Sequence, residues 1–148
     1  MHRSISGHRV GGFSLLEVLL VLVIAGLLMG VVATSLTEGP VLRKSAREVA
    51  ASLRHARSVA ILQQNEVIWS MNIQTKQFWV GGQDAKRDLH PTIEAKINTS
   101  RSEVVSSQQG NIRFYPDGSS TGGSVELTAR NQTFKVNVEW ISGRVSTL

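Results

Sequence analysis

From Phe13 to Leu36 the chain is apolar or small at nearly every position, and its one charge is Glu17. No hydrophobic period of 3.6 or 2 interrupts this run, so it has no polar face to offer water. As a helix, residues 13–36 would span roughly 36 Å, enough to cross a hydrocarbon core of about 30 Å. A secretory signal peptide is the competing reading, but its apolar region is about 7–15 residues, shorter than this one. An acidic side chain at a bilayer centre costs about 2.5–3.5 kcal/mol. A helix that served only as an anchor would gain nothing from Glu17, so the carboxylate requires a function of its own.

Ahead of the run, residues 1–12 (MHRSISGHRVGG) are basic and free of acids, and read as a targeting leader. Inside the apolar run, Gly26-Leu27-Leu28-Met29-Gly30 is a GxxxG spacing. It reads either as a site of close helix packing or as the ordinary glycine content of membrane helices. After Gly39-Pro40 a different pattern begins. Leu42, Ala46, Val49, Leu53, Ala56 and Ala60 are spaced alternately by four and three, with most charges off that stripe. This predicts an amphipathic helix over 37–65 whose alanine-rich face packs closely on the domain's own sheet.

Beyond Asn65 the period becomes 2. Val67, Trp69, Met71 and Ile73 alternate, Gln74-Thr75-Lys76 turns, and Gln77 to Val80 returns, a β-hairpin. Residues 81–110 are polar and weakly patterned, expected as a variable loop with one weak strand around Ile93, Ala95 and Ile97 and a mobile stretch from Arg101 to Gly110. Strands are expected again at Ile112–Tyr115, at Val125–Ala129 and from Phe134 to Trp140, with Pro116-Asp117-Gly118 a turn. The expected fold is therefore α+β: a long N-terminal helix, membrane-spanning in its first half, packed through its second half on a C-terminal antiparallel β-sheet domain at 66–148.

The 148 residues allow one modest domain besides the helix, and the net charge is +5. With no cysteine there is no disulfide, thiolate metal site or cysteine nucleophile. His2, His8, His55 and His90 lack metal-ligand spacing, and no nucleophile elbow, phosphate loop or dinucleotide fingerprint is present. Asp84, Asp88 and Glu94 read as solvated carboxylates. No catalytic residue, metal site or cofactor is assigned, and a membrane-anchored periplasmic enzyme is the weakest of the readings considered.

The basic leader, Gly12, Phe13, Glu17 and the long apolar helix together resemble the type IV prepilin class, which includes pilins and the pseudopilins of type II secretion. The resemblance implies a pilin-like fold, cleavage by a prepilin peptidase between Gly12 and Phe13, and N-methylation of Phe13. It also implies that Glu17, fifth from Phe13, serves methylation and assembly, and that Gly26 and Gly30 serve helix packing. The implied location is the inner membrane, single-pass, with the leader cytoplasmic and the C-terminal domain periplasmic, followed by a periplasmic pseudopilus. The flanking charges oppose this, because Arg3 and Arg9 precede the span while Arg43, Lys44, Arg47, Arg54 and Arg57 follow it. The several-part signature outweighs that count. Many pilins carry a proline where this chain has Thr34, which favours a pseudopilin or minor subunit.

A second resemblance is narrower. Ser52-Leu53-Arg54-His55-Ala56-Arg57-Ser58-Val59-Ala60-Ile61, followed by Asn65, is similar to the helix motif of the GspH/FimT group, and Phe114 to Ser119 and Gly143-Arg144-Val145 are similar to its sheet motifs. This implies an H-type minor pseudopilin that acts in export of folded proteins by assembly and binding. Its implied partners are other pseudopilins or pilins through the helix, the prepilin peptidase and an inner-membrane assembly platform. The alternative is a FimT-like minor type IV pilin involved in pilus assembly or DNA uptake. In DNA-binding members the tail carries two arginines, whereas here Ser146 stands at the second, so nucleic acid is not an expected partner.

Overall fold

The computed structural model describes residues 12–148, with the side chains of residues 30–38 outside the description. One helix, α1, covers Leu15–Gln63, with Pro40 inside it. The chain divides into two compact units, residues 1–36 and 37–148.

In the second unit, α1 exists because one face has a core to enter. Leu42, Ala46, Val49, Leu53, Ala56 and Ala60 are all buried. They belong to one apolar cluster with Trp69, Met71, Phe78, Ile112, Phe114, Val125, Leu127 and Val136 from the strands. Each fully buried Leu or Val contributes about 1.5–3 kcal/mol, and the alanines let strand side chains approach the helix axis. Ser52 shares this buried face, and its Oγ accepts a hydrogen bond of 3.0 Å from Trp69 Nε1, satisfying the indole. The helix stops where Gln64 takes a left-handed φ of +54° and its side-chain amide donates to the Ile61 carbonyl at 2.7 Å.

Nine strands follow: β1 Val67–Asn72, β2 Gln77–Val80, β3 Arg87–Asp88, β4 Glu94–Thr99, β5 Val104–Ser106, β6 Gln109–Phe114, β7 Gly123–Ala129, β8 Gln132–Val138 and β9 Val145–Thr147. The α+β class and the antiparallel pairing match the sequence reading, but the strands divide between two sheets. One has the order β3-β2-β1-β6-β5 and the other β4-β7-β8-β9. The expected β1–β2 hairpin forms, with Trp69 opposite Val80, around a turn in which Asn72 Oδ1 accepts from the N–H groups of Gln74 and Thr75. Where β4 passes β6, Gly110 is buried. A Cβ there would lie 3.0 Å from Ile97 Cγ2, and Thr99 Oγ1 donates to the Asn111 carbonyl.

Residues 81–110 depart from the expected loop. The weak strand around Ala95 and Ile97 is present as β4, and β3, β5, a short 3-10 turn at Arg101–Glu103 and the start of β6 are added to it. Two interactions order the stretch expected to be mobile. Val104 and Ser106 pair with Gly110 and Gln109, and the buried Glu103 accepts from Arg113 Nε at 3.0 Å. Arg113 also donates to Glu66 at 2.8 Å, and both carboxylates, Glu103 foremost, raise its pKa above the ordinary guanidinium value. β8 ends at Val138 rather than Trp140, because Glu139 to Arg144 close a tight turn: Gly143 N donates to the Glu139 carbonyl and Glu139 N to that of Arg144.

Helix burial gives a direct check. Leu53→Ala, at a position with no exposure, is expected to destabilise the second unit by about 2–5 kcal/mol. Leu62→Ala, on the exposed side of the same helix, is expected to stay within about 0.5 kcal/mol. Urea denaturation of the detergent-solubilised chain measures both, and equal effects would mean that the stripe does not face the core.

Candidate functional site

The start of α1 is built by Ser14. Its Oγ accepts from Leu16 N at 3.2 Å, and its carbonyl accepts from Val18 N at 3.1 Å, an N-cap. Gly12, Phe13 and Ser14 precede the helix, and Glu17 falls in its first turn, where the exposed amides and the helix dipole favour a negative charge. Glu17 is exposed and has no ion-pair partner among the described residues.

Around this carboxylate the surface is apolar on every side. Leu15, Leu16 and each residue from Val18 to Ile24 are exposed, as are Leu27, Leu28 and Met29, with Phe13 82% exposed. Consecutive residues are about 100° apart on a helix, so the unbroken stretch from Val18 to Ile24 leaves no polar side. An all-round apolar helix that nothing covers is complementary to hydrocarbon or to other such helices, not to water. Gly26 has open space where a Cβ would be, while the surroundings of Gly30 and the leader, residues 1–11, lie outside the described residues. Among the described residues no helix is long and apolar enough to cross a membrane. The described apolar side chains end at Met29, and the expected span to Leu36 continues past them.

In the second unit the three segments that carried the narrower resemblance converge on one side chain. Arg57 of α1 donates from Nε to the carbonyls of Gly118, at 3.0 Å, and Ser142, at 3.1 Å. It thereby joins the turn after β6 to the turn after β8, and Arg54 Nη2 adds a bond to the Val145 carbonyl. Both turns need glycine. Gly118 and Gly143 have φ of +85° and +61°, and a Cβ on Gly143 would sit 2.1 Å from the Gly118 carbonyl oxygen. In the first turn, Ser119 donates to Asp117 Oδ1 from Oγ at 2.6 Å and from N at 2.9 Å, which holds the carboxyl below its ordinary pKa. Spacing on the helix puts Arg57 beside the apolar stripe, but nothing in the sequence indicates that its partners are backbone carbonyls some sixty and more residues away.

The sequence reading also missed Glu103. The available signal was Arg113, a lone cation between the core residues Ile112 and Phe114, which needs a carboxylate on the opposite face of the strand. His55, by contrast, is exposed, as expected, with Gln83 within 2.8 Å. Among the described residues no cluster of His, Asp and Glu is arranged to hold a metal.

An uncovered apolar helix with a carboxylate in its first turn, followed by a compact β unit, is a prepilin-like architecture, and comparisons with known proteins place it more closely. The Prokaryotic N-terminal methylation motif matches residues 7–33, and the family Type II transport protein GspH matches residues 45–143. A protein of Xanthomonas campestris pv. campestris named type II secretion system protein H is 34% identical over 137 residues, covering 90% of this chain and 80% of that one. The chain belongs to the GspH family. Its fold is shared with the minor pseudopilin EpsH from the type II secretion system of Vibrio cholerae, at TM-score 0.58 and 10% identity over 74% of this chain and 94% of that one. The type IV minor pilin FimU of Pseudomonas aeruginosa has the same fold, at TM-score 0.57 and 18% identity over 75% and 90%.

The Arg57 junction is testable by contrast. Gly143→Ala meets backbone and is expected to destabilise by at least about 2 kcal/mol. Gly82→Ala, at φ +80° but in open space, is expected to cost only about 1 kcal/mol. Arg57→Lys is expected to lose about 1–3 kcal/mol, because lysine has no Nε–H at the place where one donor is shared between two carbonyls. Thermal melts of the three variants decide it, and a Gly143→Ala no worse than Gly82→Ala would remove the junction from the fold's supports.

Proposed function

We propose that this chain is a minor pseudopilin subunit of a type II secretion pseudopilus, acting in export of folded proteins across the outer membrane by assembly and binding rather than catalysis. In this reading it is made as a prepilin, cleaved by the prepilin peptidase between Gly12 and Phe13, and N-methylated on Phe13. Residues 13–36 first hold it in the inner membrane, leader cytoplasmic and β unit periplasmic. An assembly platform then moves it into the filament, where its helix packs against those of other pseudopilins, with Gly26 and Gly30 allowing close approach. The observation that carries the reading is the uncovered apolar half of α1 with Glu17 in its first turn.

Glu17 is the feature with opposite energetics in the two environments. Alone in hydrocarbon, the carboxylate is penalised. Beside the positive N-terminal amine of a neighbour's Phe13 it is paired, and the loss of water strengthens the attraction. A charge of this kind fixes helix register, since only one axial offset brings the two groups together.

The second reading, a FimT-like minor type IV pilin, draws support from the FimU fold, whose TM-score nearly equals that of EpsH. The 34% identity to a secretion protein favours the first. Complementing a secretion strain that lacks its own copy with Glu17→Val tests the reading. Secretion is expected to fall to the level of the empty strain, with the protein still present in membranes. Secretion at the normal level would contradict it.

A further inference from the structure

Four cationic side chains gather around one open cavity in the second unit: Arg43, Lys44 and Arg47 on one face of α1, and Arg87 from β3. All four are exposed. Among the described residues the one acid lining the cavity is Glu48, which pairs loosely with Lys44 at 3.8 Å. Arg43, Arg47 and Arg87 have no ion-pair partner among the described residues. Solvated arginines on a helix face need no explanation singly. Here a strand from the sheet adds a further cation to the same concavity, so the charge converges from two elements. Pro40 and Ala51 add exposed apolar surface to the lining, and Gln132 adds an amide. Guanidinium groups converging on a shallow, partly apolar hollow match a phosphate that carries hydrocarbon.

Position in the sequence selects the source of that phosphate. The cluster begins seven residues after Leu36, the end of the apolar run. A chain reaches at most about 3.6 Å per residue, so these cations cannot lie far from the surface at which the run leaves the bilayer. It is also this cluster that breaks the charge rule for the proposed topology. A basic group that opposes the orientation rule has to be retained for another benefit, and attraction to anionic headgroups is worth most next to the membrane.

We propose that the cavity of Arg43, Lys44, Arg47 and Arg87 binds the phosphodiester of anionic phospholipid headgroups in the leaflet that the apolar run enters last. The inference rests on the membrane-inserted stage of the function proposed above. It gives the subunit an electrostatic hold on the membrane that must be released when the helix is extracted into the filament.

The chain has no cysteine, so Ala51→Cys, at the rim of the cavity, gives a single labelling site. The full-length chain, spin-labelled there, is reconstituted in phosphatidylcholine vesicles with or without about one third phosphatidylglycerol, and collision with a water-soluble nickel chelate is measured. Phosphatidylglycerol is expected to cut collision by at least about threefold, and the protection should vanish at about 0.5 M salt. It should also vanish in Arg43→Gln/Arg47→Gln/Arg87→Gln, whose substitutions lie on exposed surface.

Alkali-resistant vesicle association separates the outcomes. A chain that stays inserted but shows equal collision in both lipids overturns this inference alone, while one that does not insert overturns the membrane stage and the inference with it. Equal protection by about 10 mM inorganic phosphate in phosphatidylcholine vesicles would assign the cavity to a free anion. Equal protection by duplex DNA would assign it to nucleic acid. Either result overturns the lipid assignment.

Discussion

Apolar surface has to be covered by something other than water, and this chain meets that constraint differently in its two units. In residues 37–148 the stripe from Leu42 to Ala60 is covered by strands of the same chain. In residues 15–29 the helix is apolar on all sides and nothing in the described chain covers it. A protein with one satisfied and one unsatisfied apolar surface is incomplete as a monomer in water. Lipid or other copies of such a helix complete it, which is why membership of the GspH family and the exposed helix belong together.

The satisfied unit is held by more than apolar burial. Arg57 reaches from α1 to two glycine turns, and Arg113 ties β6 to Glu103 and Glu66. These are long-range bonds from arginine side chains, with backbone carbonyls in one case and carboxylates in the other. They fasten the irregular segments, the turns and the residues before β5, that the core does not reach. The residues of the family motifs therefore read here as a structural junction, while the proposed assembly surface lies in the other unit.

Much of this was legible in the sequence because it follows from period. The 4,3 spacing located the buried helix face, and alternation located β1, β2, β7 and most of β8. What was not legible depends on tertiary partners. β4 reads only as a weak strand around Ile93, Ala95 and Ile97, because its inward Ala95 and Ile97 are half-buried and its pairing with β7 leaves no local signal. Its neighbour β5 is fully exposed and exists through pairing with β6, so it has no alternation to detect. The two sheets come close at Gly110, where a Cβ would meet Ile97 and Thr99, and a buried glycine leaves no hydrophobic signal. At the assembly end the situation is reversed: Gly12, Phe13 and Glu17 stand out in the sequence, whereas an isolated chain shows them exposed and unpaired because their proposed partners are on other subunits.

That last point sets the most direct experiment. Assembled filaments made from a mixture of light and isotopically heavy chains are treated with a zero-length carbodiimide, digested and examined by mass spectrometry. The expected result is an amide between the Phe13 nitrogen of one chain and the Glu17 carboxyl of another, seen as mixed light–heavy peptides. Intact filaments in which Glu17 remains uncoupled, or is coupled only within its own chain, would contradict the pairing on which the proposed assembly depends.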